Sequence, residues 1–506
     1  MSFWSRHPRS LRRWALALSL VALGGCGTPV VNPVTGRTER SVMTEADEIA
    51  EGRKGHAEVL QQYSVVADAR LQAYVSDVGM RLARQSQRPN LPWTFTVLDS
   101  TEINAFALPG GFVYVTRGIM AYLDSEAELA GVLGHEIGHV NARHGAQRAT
   151  KQQSAGVAAI FGTLLGVVAE SYGVAGAADA AGRLSQAAAA GYIASYSRDQ
   201  ESQADELGAA YLVKLGFDPQ NMVDVITVLK NQEVFAAELA RTKGLPAPRG
   251  NDWLSSHPAN DKRLADIKAV AAHYHGAYGD DQRARYLQAI DGMAFGDSRE
   301  QGVVRGRNFY HEGLGIALTA PPGWRIDNGA DAVTVVDGSG SAGLVVKSVP
   351  PQAGKTPEEV VRNVLKPVDG QLDRGSVNGL AIVRFQGQVQ DAQGQRKSVR
   401  ASVVSGPGGH NFLLVHAARD ADAQRNAAAG LAAAEASFRA LGAADRQAAR
   451  PWVLHTTTLP GGGFAELARR SPLPDLAEQQ LRLLNGAYGV GGHELRPGQR
   501  VKTIES

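Results

Sequence analysis

The sequence predicts an α+β chain in three parts: a mainly helical stretch with a small sheet, an α+β region, and a short β-α-α-β unit at the end. Three observations lead there. At 506 residues the chain is too long for one ordinary core. Helical spacing of apolar residues dominates from about residue 44 to residue 296, interrupted by a few strand-like runs. From Phe309 onward, short apolar runs bounded by turn residues take over.

Composition narrows the function classes. Hydrophobic residues make up 44% of the chain, enough for packed cores and too many for disorder. The formal charge is +2, but residues 1–25 hold four arginines (Arg6, Arg9, Arg12, Arg13) and no acid. Without them, 48 basic residues face 50 acidic ones, so no basic excess is left to attract nucleic acid.

Residues 1–25 read as an export signal: arginines, then an apolar run from Trp14 to Leu23, then small residues. As a helix that run spans about 15 Å, too short for a hydrocarbon core of about 30 Å. Leu23-Gly24-Gly25 precedes the only cysteine, Cys26. The stretch resembles a lipobox, which implies lipidation on Cys26 and a lipid-anchored envelope location. Gly27 after the cysteine favours the outer membrane in a Gram-negative cell. A lone cysteine excludes an internal disulfide.

Residues 26–43, with Asn32-Pro33-Val34-Thr35-Gly36-Arg37, read as a tether. Helices follow from Thr44 to Gln85. Leu91–Asp99 and Phe112–Thr116 read as strands, with Pro109-Gly110-Gly111 as a turn between them. Ser125 and Glu128 fit a capping box opening an amphipathic helix with Leu129, Val132, Leu133, Ile137 and Val140 on its apolar side. Ala155–Ala169 is apolar apart from Thr163 and reaches about 22 Å as a helix, which suits a core helix or one resting on a membrane.

The chemistry concentrates at His135-Glu136-Ile137-Gly138-His139, an H-E-x-x-H motif. On a helix, positions i and i+4 stack, so two imidazoles can converge on one zinc ion. Glu136 lies about 100° around the helix and can face a water without being a ligand. Further on stand Glu201 and Asp205, on one face by i,i+4 spacing. Glu201 would complete a two-His, one-Glu site, and Asp205 could accept an imidazole N–H and fix its tautomer. Without the first motif, that pair would read as a solvated acidic face. His144, about 140° off the His139 face if the helix continued, reads as a bystander. His273 and His275 read as surface residues.

From Asn104 to Asp205 the chain resembles metallopeptidase family forty-eight, the gluzincins that include HtpX-like, BepA-like and CAAX prenyl endopeptidases. The matching residues are Asn104-Ala105-Phe106-Ala107-Leu108-Pro109-Gly110-Gly111, the H-E-x-x-H helix, and Arg198-Asp199-Gln200-Glu201 through Asp205. The resemblance implies a mainly helical gluzincin domain over residues 44–300. It implies one zinc on His135, His139 and Glu201, with Glu136 as general base and Asp205 as orienter. It also implies an edge strand at Asn104, Ala105, Phe106 and Ala107 that binds extended substrate by backbone pairing. Ser256-His257-Pro258 resembles a motif of exported members in which the histidine fills the open zinc position, so His257 is a candidate inhibitory fourth ligand. The helical repeat array of BepA-like proteins and the membrane spans of HtpX-like ones have no counterpart in the sequence.

Residues 301–445 read as an α+β domain without a catalytic cluster. Its expected strands are Ile316–Leu318, Val333–Val336, Gly343–Val349, Ala381–Val389 and Phe412–His416, with helices over 357–366 and 424–440. Residues 452–506 resemble a LysM-type module, which implies binding to peptidoglycan glycan, although Gly461-Gly462-Gly463 replaces the usual Gly-Asp-Thr. The unit is expected to be separable from the peptidase. The leading expectation is a zinc endopeptidase acting on misfolded or stalled envelope proteins. An assembly scaffold with little turnover and a hydrolase of peptidoglycan stem peptides are the alternatives.

Overall fold

A computed structural model describes residues 28–32, 35–154, 196–242, 244, 257, 261–329, 332–390 and 396–506. The export signal, Cys26 and the Ala155–Ala169 segment lie outside them. Among the described residues, no helix is long and apolar enough to cross a membrane.

The stretch read as a tether folds as a hairpin instead. Strand β1 (Thr28–Val31) pairs antiparallel with β2 (Thr38–Ser41). Asn32 is buried at its turn, and its amide donates to Glu39 and to Gln203. Polar turn residues drew the tether reading, but one of them, Asn32, bonds inward. Helix α1 (Glu45–Gln62) opens on a reciprocal cap between Thr44 and Asp47, and α2 (Ala69–Arg84) on Asp68. Three short strands follow: β3 (Thr94–Leu98), β4 (Ala105–Leu108) and β5 (Phe112–Thr116). Parallel pairing of β3 with β5 and antiparallel pairing of β4 with β5 give the order β3-β5-β4. The β4 strand, carrying Ala105, Phe106 and Ala107, is therefore at the sheet edge. Gly110 and Gly111 turn β4 into β5 at φ of 80° and 101°, where a side chain would be strained.

Helices α3 (Arg117–Tyr122), α4 (Glu126–Asn141), α5 (His144–Ser154), α6 (Arg198–Lys214), α7 (Gln220–Thr242), α8 (Asp261–Ala272) and α9 (Arg283–Ile290) complete the helical part. Ser125 caps α4 as expected, its hydroxyl accepting the Glu128 N–H at 3.1 Å. The reciprocal half differs: Glu128 accepts the Asp124 N–H at 2.7 Å. The amphipathic expectation for α4 fails, because all of its residues are buried. The polar face is not a solvent face; it is the wall of an internal site.

After the two-residue strand β6 (Ala294–Phe295) the chain enters a β-rich region. Its strands are β7 (Val303–Arg305), β8 (Asn308–His311), β9 (Ile316–Thr319), β10 (Arg325–Asn328), β11 (Val333–Val336), β12 (Ala342–Val349), β13 (Pro367–Val377), β14 (Leu380–Gln390), β15 (Arg396–Ser405), β16 (Asn411–Ala418) and β17 (Arg439–Ala440). They form an antiparallel seven-stranded sheet, β10-β11-β12-β16-β15-β14-β13, and a four-stranded one, β17-β9-β8-β7. The expected helix at 357–366 is α10 (Pro357–Val360) running into a wider turn, Val361–Leu365. Helix α11 (Ala421–Ala436) packs on β12 and β16 and is followed by the short α12 (Ala443–Ala448). This region has cores of its own, one around Phe309, Leu344, Phe412 and Leu431 and another around Val360, Phe385 and Val403.

The last unit is β18 (Trp452–Thr458), α13 (Gly463–Arg470), α14 (Ala477–Leu484) and β19 (Arg500–Glu505), in β-α-α-β order. It is not separate from the helical part. Strand β18 pairs with β19 on one side and with β6 on the other, Phe295 opposite Trp452. Leu454, Phe464, Leu481, Leu484, Val501 and Ile504 belong to the same apolar core as α2, α4 and α7. The fully buried Lys502 donates to the carbonyls of Ala121 and Leu123, just ahead of α4. Asn231 of α7 donates to the carbonyls of Tyr488 and Val490.

Candidate metal centre

Two helices of small residues build the site. Gly134 faces Gly208, and a Cβ on Gly138 would sit 2.9 Å from the Ala204 carbonyl oxygen. Only glycine lets α6 approach α4 this closely, and that approach sets Glu201 opposite the two histidines. His135, His139, Glu201 and His257 offer donor atoms all within 4.8 Å of one another, and all four are buried. The Nε2 atoms of His135 and His139 lie 3.0 Å apart. Glu201 approaches them at 3.6 Å and 3.5 Å. His257 Nδ1 lies 3.2 Å from His135 Nε2 and 3.1 Å from Glu201 Oε1.

Each histidine is held by its second nitrogen. His135 Nδ1 contacts Asp205 at 2.9 Å, so this nitrogen carries the proton and Nε2 is left with its lone pair. His139 Nδ1 contacts His144 Nδ1 at 2.8 Å. His144 in turn reaches Gln203 through Nε2 at 3.3 Å, as donor, so its Nδ1 is the acceptor for His139. Burial pushes the His144 imidazole down to about 4, keeping it neutral for this role. His144 is thus no bystander. The error came from extending α4 past its end: Arg143 takes a left-handed conformation at φ 58°, the chain turns, and α5 starts anew at His144. Tyr196 covers the His139 ring from outside, stacked at 3.8 Å between centroids.

Glu136 stands just outside the donor set, its carboxylate 3.5 Å from His257 Nε2. Asn104 is buried beside the start of β4, its backbone joined to Thr116. His273 and His275 are exposed. Arg263, which no sequence pattern singled out, is buried on α8 and spans the site's carboxylates. It donates to both oxygens of Asp205 at 2.9 Å and 2.8 Å and pairs with Glu201 at 2.7 Å. Burial alone would raise the Asp205 carboxyl, but Arg263 and His135 outweigh it and hold the group well below the usual range.

This donor set fits a divalent zinc ion. Three imidazoles and a carboxylate are ligands zinc accepts in fourfold coordination. Glu136, Glu201 and Asp205 are buried together, with the buried guanidinium of Arg263 bonded to the last two. The excess negative charge is what a divalent cation balances. The arrangement is that of a zinc metalloendopeptidase centre.

Comparison with known proteins agrees. Residues 69–271 match peptidase family M48, and this segment is an M48 zinc metalloendopeptidase domain with its His/His/Glu/His cluster intact. The β-barrel assembly-enhancing protease of Yersinia pestis is 29% identical over 281 residues, covering 53% of this chain and 57% of that one. The protein of the same name from Escherichia coli (strain K12) is 28% identical over 343 residues, covering 63% and 69%. The mitochondrial metalloendopeptidase OMA1 of Schizosaccharomyces pombe is 30% identical over 196 residues, covering 38% and 51%. The chain spans about half the length of several curated relatives it matches.

Proposed function

We propose that this protein is a zinc endopeptidase of the bacterial cell envelope that hydrolyses misfolded or stalled envelope proteins. The position of Glu136 carries the reading: a buried carboxylate beside the donor set, yet outside it, is where a general base belongs. When bound, zinc supplies Lewis-acid activation of water and of a peptide carbonyl. Glu136 takes the proton of the attacking water and returns it to the leaving amine. Asp205 and His144 keep the ligand histidines in the tautomers that expose Nε2. The edge strand β4, entered from Asn104 and running through Ala105, Phe106 and Ala107, offers extended substrate a backbone to pair with. Such pairing ignores side-chain identity and suits unfolded clients. The names of the enterobacterial relatives support an envelope setting.

In the resting state His257 occupies the fourth position and holds the enzyme latent. Anchoring through a lipid on Cys26, at the periplasmic face of the outer membrane, and contact with peptidoglycan through residues 452–506 belong to the same proposal. Denatured casein and purified sacculi, digested in parallel, test it. Glu136→Gln should keep one zinc per chain and lower casein cleavage about 10³-fold. Cleavage of sacculi in place of casein would overturn the substrate class. An unmodified mature N-terminus by mass spectrometry would end the lipid anchor.

A further inference from the structure

Arg263 does more than neutralise carboxylates. Its NH1 atom lies 2.9 Å from the backbone carbonyl oxygen of His257 and 2.7 Å from Glu201 Oε2. Its Nε and NH2 clasp both oxygens of Asp205, whose Oδ1 also accepts from His135. One buried guanidinium therefore touches a metal ligand, the group that orients a second ligand, and the main chain of the histidine in the fourth position. We propose that Arg263 is a positioning residue that locks His257 in place as the fourth donor and couples it to Glu201 and Asp205. This rests on the latent-enzyme reading of His257 above.

The chemistry of the contact favours arginine. A guanidinium presents N–H groups in a rigid planar fork, so bonds to Asp205 on one edge fix the direction of NH1 on the other. The carbonyl of His257 is thereby placed by the same plane that places the Asp205 carboxylate. A lysine at 263 would keep the charge but could not hold both edges. The side chain of Arg263 is only 7% exposed, and its charge is balanced on the spot by Asp205 and Glu201. Solvent therefore offers NH1 little competition for the His257 carbonyl. The link runs through the backbone of residue 257, so a change of its side chain leaves the Arg263–Asp205–Glu201 contacts intact. That separation makes the proposal testable.

The experiment is a double-mutant cycle on the full-length zinc protein: wild type, Arg263→Lys, His257→Ala and the double variant. Zinc release to the chromogenic chelator 4-(2-pyridylazo)resorcinol is timed for each, after circular dichroism shows that each is folded. His257→Ala should speed release, because one donor is gone. Arg263→Lys should speed release about 10-fold when His257 is present. In the His257→Ala background it should add less than about 2-fold. Equal acceleration in both backgrounds would overturn the proposal, because Arg263 would then act only through Glu201 and Asp205. Unchanged release in His257→Ala would remove His257 as a donor and take the lock with it. Neither result touches Glu136, whose variant tests the peptidase reading on its own. If Arg263→Lys fails to fold, Arg263→Gln takes its place. The cobalt-substituted protein then gives a second readout: its visible spectrum should move toward that of His257→Ala. A wild-type spectrum in the arginine variant would count against the lock.

Discussion

Residues 303–450 and residues 452–506 both follow the metallopeptidase domain in sequence, yet they relate to it in opposite ways. The longer region closes cores of its own around Phe309, Phe412, Phe385 and Val403. The shorter unit buries its apolar residues in the core that holds α4, and it adds β18 to β6. The larger region is thus an insertion between two strands that are neighbours in space. Distance along the chain gives the wrong order of intimacy.

The sharpest way to break this contrast is to delete residues 452–506. Fully burying a side chain such as Leu454, Leu481, Leu484, Val501 or Ile504 is worth about 1.5–3 kcal/mol each. Losing five of them matches the whole stability of an ordinary domain, roughly 5–15 kcal/mol. The truncated protein should aggregate or fail to hold zinc, measured by metal content of the soluble fraction. A soluble, zinc-loaded product that cleaves casein would show that the unit is separable after all.

A milder test lies inside the insertion. Glu435 on α11 accepts from His416 at 3.0 Å, from Arg384 at 2.7 Å and from Ser402 at 2.8 Å, tying the helix to three strands. Burial raises its carboxyl, but these bonds outweigh it and hold the group at about 2, against an ordinary value of 4.5. A depressed value contributes stability above the unfolded pKa and loses it as pH falls toward the folded one. The insertion should therefore weaken between about pH 4.5 and pH 2. Glu435→Gln should cost about 2 kcal/mol at neutral pH and flatten that dependence, as followed by thermal unfolding. Zinc content should not change.

The smallest effect is expected from replacing residues 303–449 by a short Gly/Ser linker. The metallopeptidase core should keep its zinc and its unfolding temperature within about 3 °C, since no part of that core is removed. A large drop would mean that the insertion braces the site.

Much of the site was legible because helix periodicity carries it. His135 and His139 on α4 are related by i,i+4 spacing, as are Glu201 and Asp205 on α6, and Ser125 marks where α4 begins. What escaped is what periodicity cannot encode. The left-handed turn at Arg143 is made by a residue with no sequence signature for it, so His144 was placed on the wrong side. Arg263 meets Asp205 through the packing of α8 on α6, a tertiary fact with no spacing rule. Within the insertion, β11 was read to the residue. The long β13 was missed because its residues, exposed up to Ser376, lack the apolar alternation that marks a strand, whereas β15 was missed although Val399, Ala401 and Val403 alternate with polar residues. The amphipathic reading of α4 failed for the opposite reason: its polar residues are buried too, with His135, Glu136 and His139 facing the metal site.

The pairing of Phe295 with Trp452 also bears on how the chain assembles. Joining β6 to β18 through a flexible loop would carry an entropic cost that grows by about 0.6 kcal/mol with each doubling of loop length. A folded insertion removes most of that cost. Arg305, at its entry, bonds the carbonyl of Arg450 and lies over the Trp452 ring at 4.4 Å. The insertion thus works as a splint that delivers the late strand to its early partner. Lys502 bonds the carbonyls of Ala121 and Leu123, so the segment leading into the zinc helix takes a buried partner from a strand 379 residues further along the chain.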